Sequence, residues 1–262
     1  MTARAREYAA TVLRREPLSP HLVRLALGDL TGPDDFASTG IPDEWVGLVV
    51  PGQFQSRYYT VGSWDGSELV LDVVVHEDGL VTEWASRDCV GEVVTIQEAK
   101  GSFAMPDDAA WLLLVGDLTA MPAMARILST VELDKLDRPV EVWAEVPDDL
   151  TGYLPEGTDI TWLQPPAEGE SALAGVVEGI DWPAGEGYFW MAGESGQMRA
   201  IRKHLMREVR LPSTAYDVMG YWRGGGVRQP RAVDPGPVWR AGKAAGKSDE
   251  EIWAAYDQEV AR

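Results

Sequence analysis

Arg57-Tyr58-Tyr59-Thr60-Val61 lies in an apolar-alternating stretch and is followed at short range by His76 and by Gly79-Leu80-Val81-Thr82-Glu83-Trp84-Ala85. On an extended segment Arg57 and Tyr59 point to one face, about 7 Å apart, and Thr60 points to the other. A guanidinium fork matches a pyrophosphate. A tyrosine beside it can pack on a flat ring, and a hydroxyl one residue on can reach that ring's polar edge. Together these three residue types suit a flavin. Arg-x-Tyr-Thr also occurs on ordinary surface strands, so the pattern is judged by what surrounds it.

The first hundred residues read as β-rich. Residues 7–30 hold two apolar-alternating segments separated by a turn with Pro20, and further strands are expected near 53–63, 68–76 and 92–98. Residues 31–51 contain Pro33, Gly40, Pro42, Gly47 and Pro51 and read as a long loop. Residues 82–87 are the one helix-like piece, with Thr82 as the expected N-cap. Closely spaced short strands of this kind build a barrel or a sandwich.

The pattern changes near Pro106-Asp107-Asp108. WLLLVGDLTAMPAMARILSTVE (111–132) is an apolar strand, a turn and a helix. Strands follow at PVEVWAEV, DITWLQ and GYFWMAGE, then a helix over 196–209 and a short strand ending in Tyr221-Trp222-Arg223. Alternating strands and helices predict a parallel α/β sheet. KSDEEIWAAYDQEVAR reads as a terminal helix opened by Ser248 or Asp249. The expected division is therefore 1–106 for the barrel, 107–239 for the α/β part and 240–262 for a C-terminal helical extension.

Composition narrows the chemistry. No apolar run approaches the roughly 18 residues of a membrane span, and the charged N-terminus lacks a signal-peptide core, so no membrane association and a cytoplasmic location are expected. Cys89 is the single cysteine among three histidines, so a metal site or dithiol pair is not expected, Cys89 itself reads as a small buried residue, and redox chemistry would have to come from an organic cofactor. The formal charge is −19. Residues 199–247 are net basic while the rest is net acidic, an arrangement that repels nucleic acid and suits recognition of a small anion by the basic segment.

The ordered set RYYTVG, VVVHEDGLVTEWA, GDLTAMPA (116–123), Ala192-Gly193-Glu194 and GYWRGG (220–225) resembles the siderophore-interacting proteins, FAD-dependent ferric-siderophore reductases of the ferredoxin reductase-like superfamily. The resemblance runs over roughly residues 10–225. It implies an antiparallel Greek-key flavin-binding barrel followed by an α/β nucleotide-binding domain. It assigns Arg57 to the FAD phosphates, and Tyr59, Thr60 and Val61 to the ring. His76, Gly79, Val81 and Thr82 then form the turn and helix start that take the pyrophosphate. Trp222 is the ring-stacking candidate. Gly62 stands where the family often has a second arginine, and Leu80-Val81 replace the family's Pro-Ala.

For the nicotinamide nucleotide the resemblance points to Gly116, Asp117, Thr119 and Ala120, with Gly193 and Glu194 on the same side. NADH is expected rather than NADPH, because the second strand of the sheet ends in Glu145, Pro147, Asp148 and Asp149, which would repel a 2′-phosphate; Arg126, Arg199 or Arg202 folded over the ribose would reverse this. Arg223, Arg228 and Arg231 are the expected lip for an anionic ferric siderophore. Ferredoxin is a less favoured donor, since acidic ferredoxins meet an acidic chain. The alternatives are a ferredoxin or flavin reductase-like enzyme with another acceptor, and a non-catalytic siderophore binder.

Overall fold

A computed structural model describes residues 5–53, 55–75, 79–131, 140–224, 241–248 and 251. Six antiparallel strands close into a barrel in the order β1-β2-β5-β4-β3-β6: β1 (Glu7–Ser19), β2 (Leu22–Thr31), β3 (Trp45–Val49), β4 (Arg57–Trp64), β5 (Leu69–Val74) and β6 (Val93–Gln97). Alternation drives the closure. Tyr8, Ala10 and Val12, then Val23, Leu25 and Leu27, then Leu69, Leu71 and Val73 all point into one core. The Tyr8, Phe36 and Trp64 rings meet edge-to-face at centroid distances of 5.4 and 5.1 Å and close one end.

β3 lies inside the stretch expected to be loop. Gly47 suggested a break, but it is a site of close approach: a Cβ there would fall 2.3 Å from the Gln97 side-chain oxygen, so glycine lets β3 pack beside β6. Helix α1 (Leu80–Ser86) begins earlier than expected. Its N-cap is Gly79, at φ 137°, and Thr82 sits buried inside the first turn.

The second half is a parallel sheet in the order β11-β10-β7-β8-β9: β7 (Leu112–Asp117), β8 (Glu141–Glu145), β9 (Asp159–Leu163), β10 (Tyr188–Glu194) and β11 (Tyr216–Trp222). β7 and β10 are buried along their whole length, as near-continuous apolar strands covered on both faces must be. Helix α2 (Met121–Thr130) covers one face through Met124, Ile127 and Leu128. The other face is covered by α3 (Leu173–Glu178), a short helix not expected from the sequence, and by α4 (Ser195–His204), which continues as a π-turn to Val209. Strand order reverses between β7 and β10, the place where open α/β sheets form their ligand crevice, at the strands' carboxyl ends.

Buried polar ties hold the two halves together. Tyr153 donates to Asp72 of β5, whose carboxylate also takes a bidentate pair of bonds from Arg24 at 2.8 Å. Asp148 accepts from the Ser19 hydroxyl and from the His21 amide at 3.1 Å, with His21 Nδ1 at 2.7 Å. Ser102, in the connection, donates its amide and hydroxyl to Asp43 and also reaches Asp217 of β11. At the far end, Ser248 and Glu251 exchange bonds as a capping box. The remainder of the expected terminal helix lies outside the described residues.

Candidate functional site

β4 carries the first candidate group. Arg57 and Tyr58 are exposed, Tyr59 is half-buried against the barrel core, and Thr60 is buried beneath the second half. Burial pushes the Tyr59 phenol up to about 12. Val61 differs from expectation. Its amide donates to Glu44 O and its carbonyl accepts from Arg126 at 2.7 Å, so its backbone is already engaged by the chain.

β5 runs antiparallel to β4 and leads into α1, which puts Gly79 at the Arg57 end of the barrel. The N-cap residue of α1, Gly79, has no side chain to offer, Leu80 is exposed, and Val81 and Thr82 are buried. The first turn therefore offers backbone amides rather than side chains, the donors a phosphate takes at a helix start. His76, Arg228 and Arg231 lie outside the described residues.

The carboxyl ends of β7 and β10 carry the second group. Asp117, 6% exposed, caps the turn after β7 by accepting the Thr119 amide at 2.9 Å and the Thr119 hydroxyl at 2.6 Å. Its other oxygen accepts the Trp222 indole N–H at 2.6 Å. Burial lifts the Asp117 carboxyl to about 6, against these hydrogen bonds, which pull it down. Gly116 is a packing glycine, since a Cβ would sit 2.4 Å from Ala120 Cβ. Gly193 makes room for Asp117: a Cβ there would lie 2.4 Å from Asp117 Oδ2. Glu194 caps α4 through the amides of Gly196 and Gln197 and accepts the Gly224 amide at 3.3 Å.

The two groups meet. Thr60 faces Tyr221 of β11, whose hydroxyl is buried and whose ionisation is opposed chiefly by that burial. Arg126 of α2 reaches into the barrel to Glu44 at 3.2 Å and to Val61, so it does not fold over a ribose. Arg202 is likewise taken, by the Val218 carbonyl. Arg223 is exposed at the end of β11.

Two of the acids at the end of β8 are engaged within the chain. Glu145 is 3% exposed and accepts the Ala172 amide at 2.9 Å, while Asp148 is bound to Ser19 and His21. Asp149, the third acid of that end, is exposed and holds the Thr151 amide through one oxygen. Tyr221 was not assigned a site role from the motifs, whereas Arg126 and Glu145 were read as ribose-side residues and bond within the chain instead. An acid closing an apolar strand just before a helix, as in Asp117 and Glu194, is a capping signal that could have been read in advance.

Comparison with known proteins agrees with this geometry. Residues 109–225 match the siderophore-interacting protein family. The chain is 30% identical over 236 residues to the mycobactin import ATP-binding/permease protein IrtA of Mycolicibacterium smegmatis, covering 84% of this chain but only 26% of IrtA's length. It is 28% identical over 159 residues to the NADPH-dependent ferric-chelate reductase of Escherichia coli, covering 59% and 61% of the two chains. The siderophore-interacting protein of Acinetobacter baumannii superposes with a TM-score of 0.72 at 22% identity, over 92% and 98% of the two chains. A ferredoxin NADP+ reductase from Neisseria gonorrhoeae, solved with FAD and NADP, gives 0.63 at 16% identity, over 84% and 100%. Through residues 109–225, joined to a closed barrel, the chain is similar to the siderophore-interacting proteins.

Proposed function

We propose that this chain is an FAD-dependent reductase that passes electrons from a nicotinamide nucleotide to a ferric siderophore, releasing Fe(II). The observation that carries the reading is the closure of β4 onto the switch-point edge of the parallel sheet, with Thr60 under Tyr221 and Val61 held by Arg126. The names of relatives support the substrate class: one is a ferric-chelate reductase and another a mycobactin importer.

The residues fit FAD. Gly79 at the start of α1, the exposed Arg57 guanidinium and the half-buried Tyr59 ring lie at one end of the barrel, and the buried Tyr221 hydroxyl lies beside Thr60. In this reading Arg57 and the amides of Gly79 to Thr82 hold the phosphates, Tyr59 and Thr60 hold the ring, and Trp222 screens it. FAD, when bound, supplies the exchange between a two-electron donor and a one-electron acceptor. The chain's own residues position and desolvate; none forms a covalent bond. Hard oxygen ligands hold Fe(III) far better than Fe(II), so reduction alone frees the metal. Arg223, with Arg228 and Arg231, is the proposed lip for the chelate.

The test is anaerobic. The flavin spectrum is recorded before and after NADH or NADPH, then after a ferric siderophore with ferrozine present. Bands that bleach with the donor and return as the Fe(II) colour grows are the expected result. Bands that bleach but ignore every ferric chelate would make this an oxidoreductase for another acceptor. Failure to retain added FAD would remove the Arg57–Thr60 assignment.

A further inference from the structure

Open parallel sheets seat nucleotide phosphates on unpaired amides at the helix starts beyond their strand ends. In this chain carboxylates at the ends of β7, β8 and β10 hold amides at or near those positions. Asp117 ends β7 and holds the Thr119 amide and hydroxyl. Glu145 ends β8 and holds the Ala172 amide, just before α3. Glu194 ends β10 and holds the first amides of α4.

The row is built into the fold. The three are 6%, 3% and 9% exposed, and Asp117 and Glu145 are register partners on neighbouring strands. One Glu145 oxygen is buried with no partner. Gly193 gives Asp117 its space, and Trp222 donates across to it. At α1 the N-cap residue is Gly79, which carries no side chain. A phosphate group meets buried carboxylates at the sheet.

We infer that Asp117, Glu145 and Glu194 are specificity determinants that keep a pyrophosphate off this edge, so that the hydride donor is held through its nicotinamide and adjoining ribose. The inference rests on the nicotinamide-donor reading above. A charge-assisted hydrogen bond to a phosphate is ordinarily worth about ten- to a hundredfold in affinity. Without such bonds, a donor stripped of its phosphates loses little.

The experiment compares NADH with phosphate-free reduced nicotinamide riboside on the FAD-loaded protein. Stopped-flow bleaching gives the half-saturating concentration of each, and calorimetry with NAD+ and nicotinamide riboside gives dissociation constants without turnover. Ratios within about tenfold, by both readouts, are expected. A dinucleotide preference beyond tenfold overturns the inference. Asp117→Asn keeps a neutral cap for Thr119; the affinity for NADH relative to riboside should rise several-fold there, and an unchanged ratio removes Asp117 from the assignment. If neither donor bleaches a flavin that dithionite does bleach, the donor reading falls and this inference falls with it.

Discussion

The indole N–H of Trp222 donates to Oδ2 of Asp117 at 2.6 Å, joining the end of the edge strand β11 to the turn after β7. The same carboxylate caps Thr119 with its other oxygen, so one buried side chain fixes both the nucleotide turn and the proposed flavin screen. Its carboxyl rises from 3.8 to about 6 because burial penalises the charge. In the unfolded chain Asp117 therefore holds fewer protons than in the folded chain between those values. Stability falls as pH rises through that window, by at most about 3 kcal/mol at 1.4 kcal/mol per unit. Urea denaturation at pH 4.5 and 7.5 should show Asp117→Asn gaining on the parent as pH rises. Parallel pH profiles would mean that Asp117 is not the buried acid described.

Arg126 and Glu44 form the most buried ion pair among the described residues, at 12% and 0% side-chain exposure. Glu44 also accepts from Ser38 and Thr39, so it organises the loop before β3 as well. Arg126→Ala leaves a buried carboxylate short of its counter-charge, a loss of about 3–5 kcal/mol. It also frees the Val61 carbonyl, so FAD retention should fall alongside stability. A variant that melts like the parent would show that the pair is not buried in solution.

The architecture was legible where one local period dominated. Alternation at Tyr8, Ala10 and Val12 and the apolar run Leu112–Val115 have single readings, and both elements lie where expected. β3 was hidden because Gly47, a breaker by propensity, is needed there for close approach to Gln97. α3 spans six residues, too few for a helical period to show. The site divides the same way. Which strand ends carry acids is plain in the sequence; whether Glu145 or Asp148 faces solvent depends on Ala172 and Ser19, residues distant along the chain. Arg126 could not be placed because its partners belong to the barrel.

Arg57 is exposed on β4, so its removal should leave the fold intact and act on the cofactor alone. Arg57→Ala is expected to weaken FAD binding by about 2–4 kcal/mol if the phosphate contact is bidentate. Flavin absorbance per mole of purified protein, with a fluorescence titration of added FAD, reads this out. Full FAD content in the variant would remove Arg57 from the phosphate site.

Gly193 adopts φ 152°, and a Cβ placed on it would fall 2.4 Å from Asp117 Oδ2 and 2.9 Å from Asp117 Cγ. The obstacle is a carboxylate held by Thr119 and Trp222, so it cannot swing aside without breaking those bonds. Gly193→Ala should therefore cost about 1–3 kcal/mol from the crowding, as overpacked interiors do. Asp117→Ser shortens the obstacle and keeps a hydroxyl cap on the turn. In a double-mutant cycle the two substitutions should be coupled, with Gly193→Ala costing at least about 1 kcal/mol less in the Asp117→Ser background. Strain from the φ angle would persist in both backgrounds, whereas the clash with Asp117 vanishes in one. Additive effects in chemical denaturation would assign the glycine to backbone conformation and separate it from the Asp117 carboxylate.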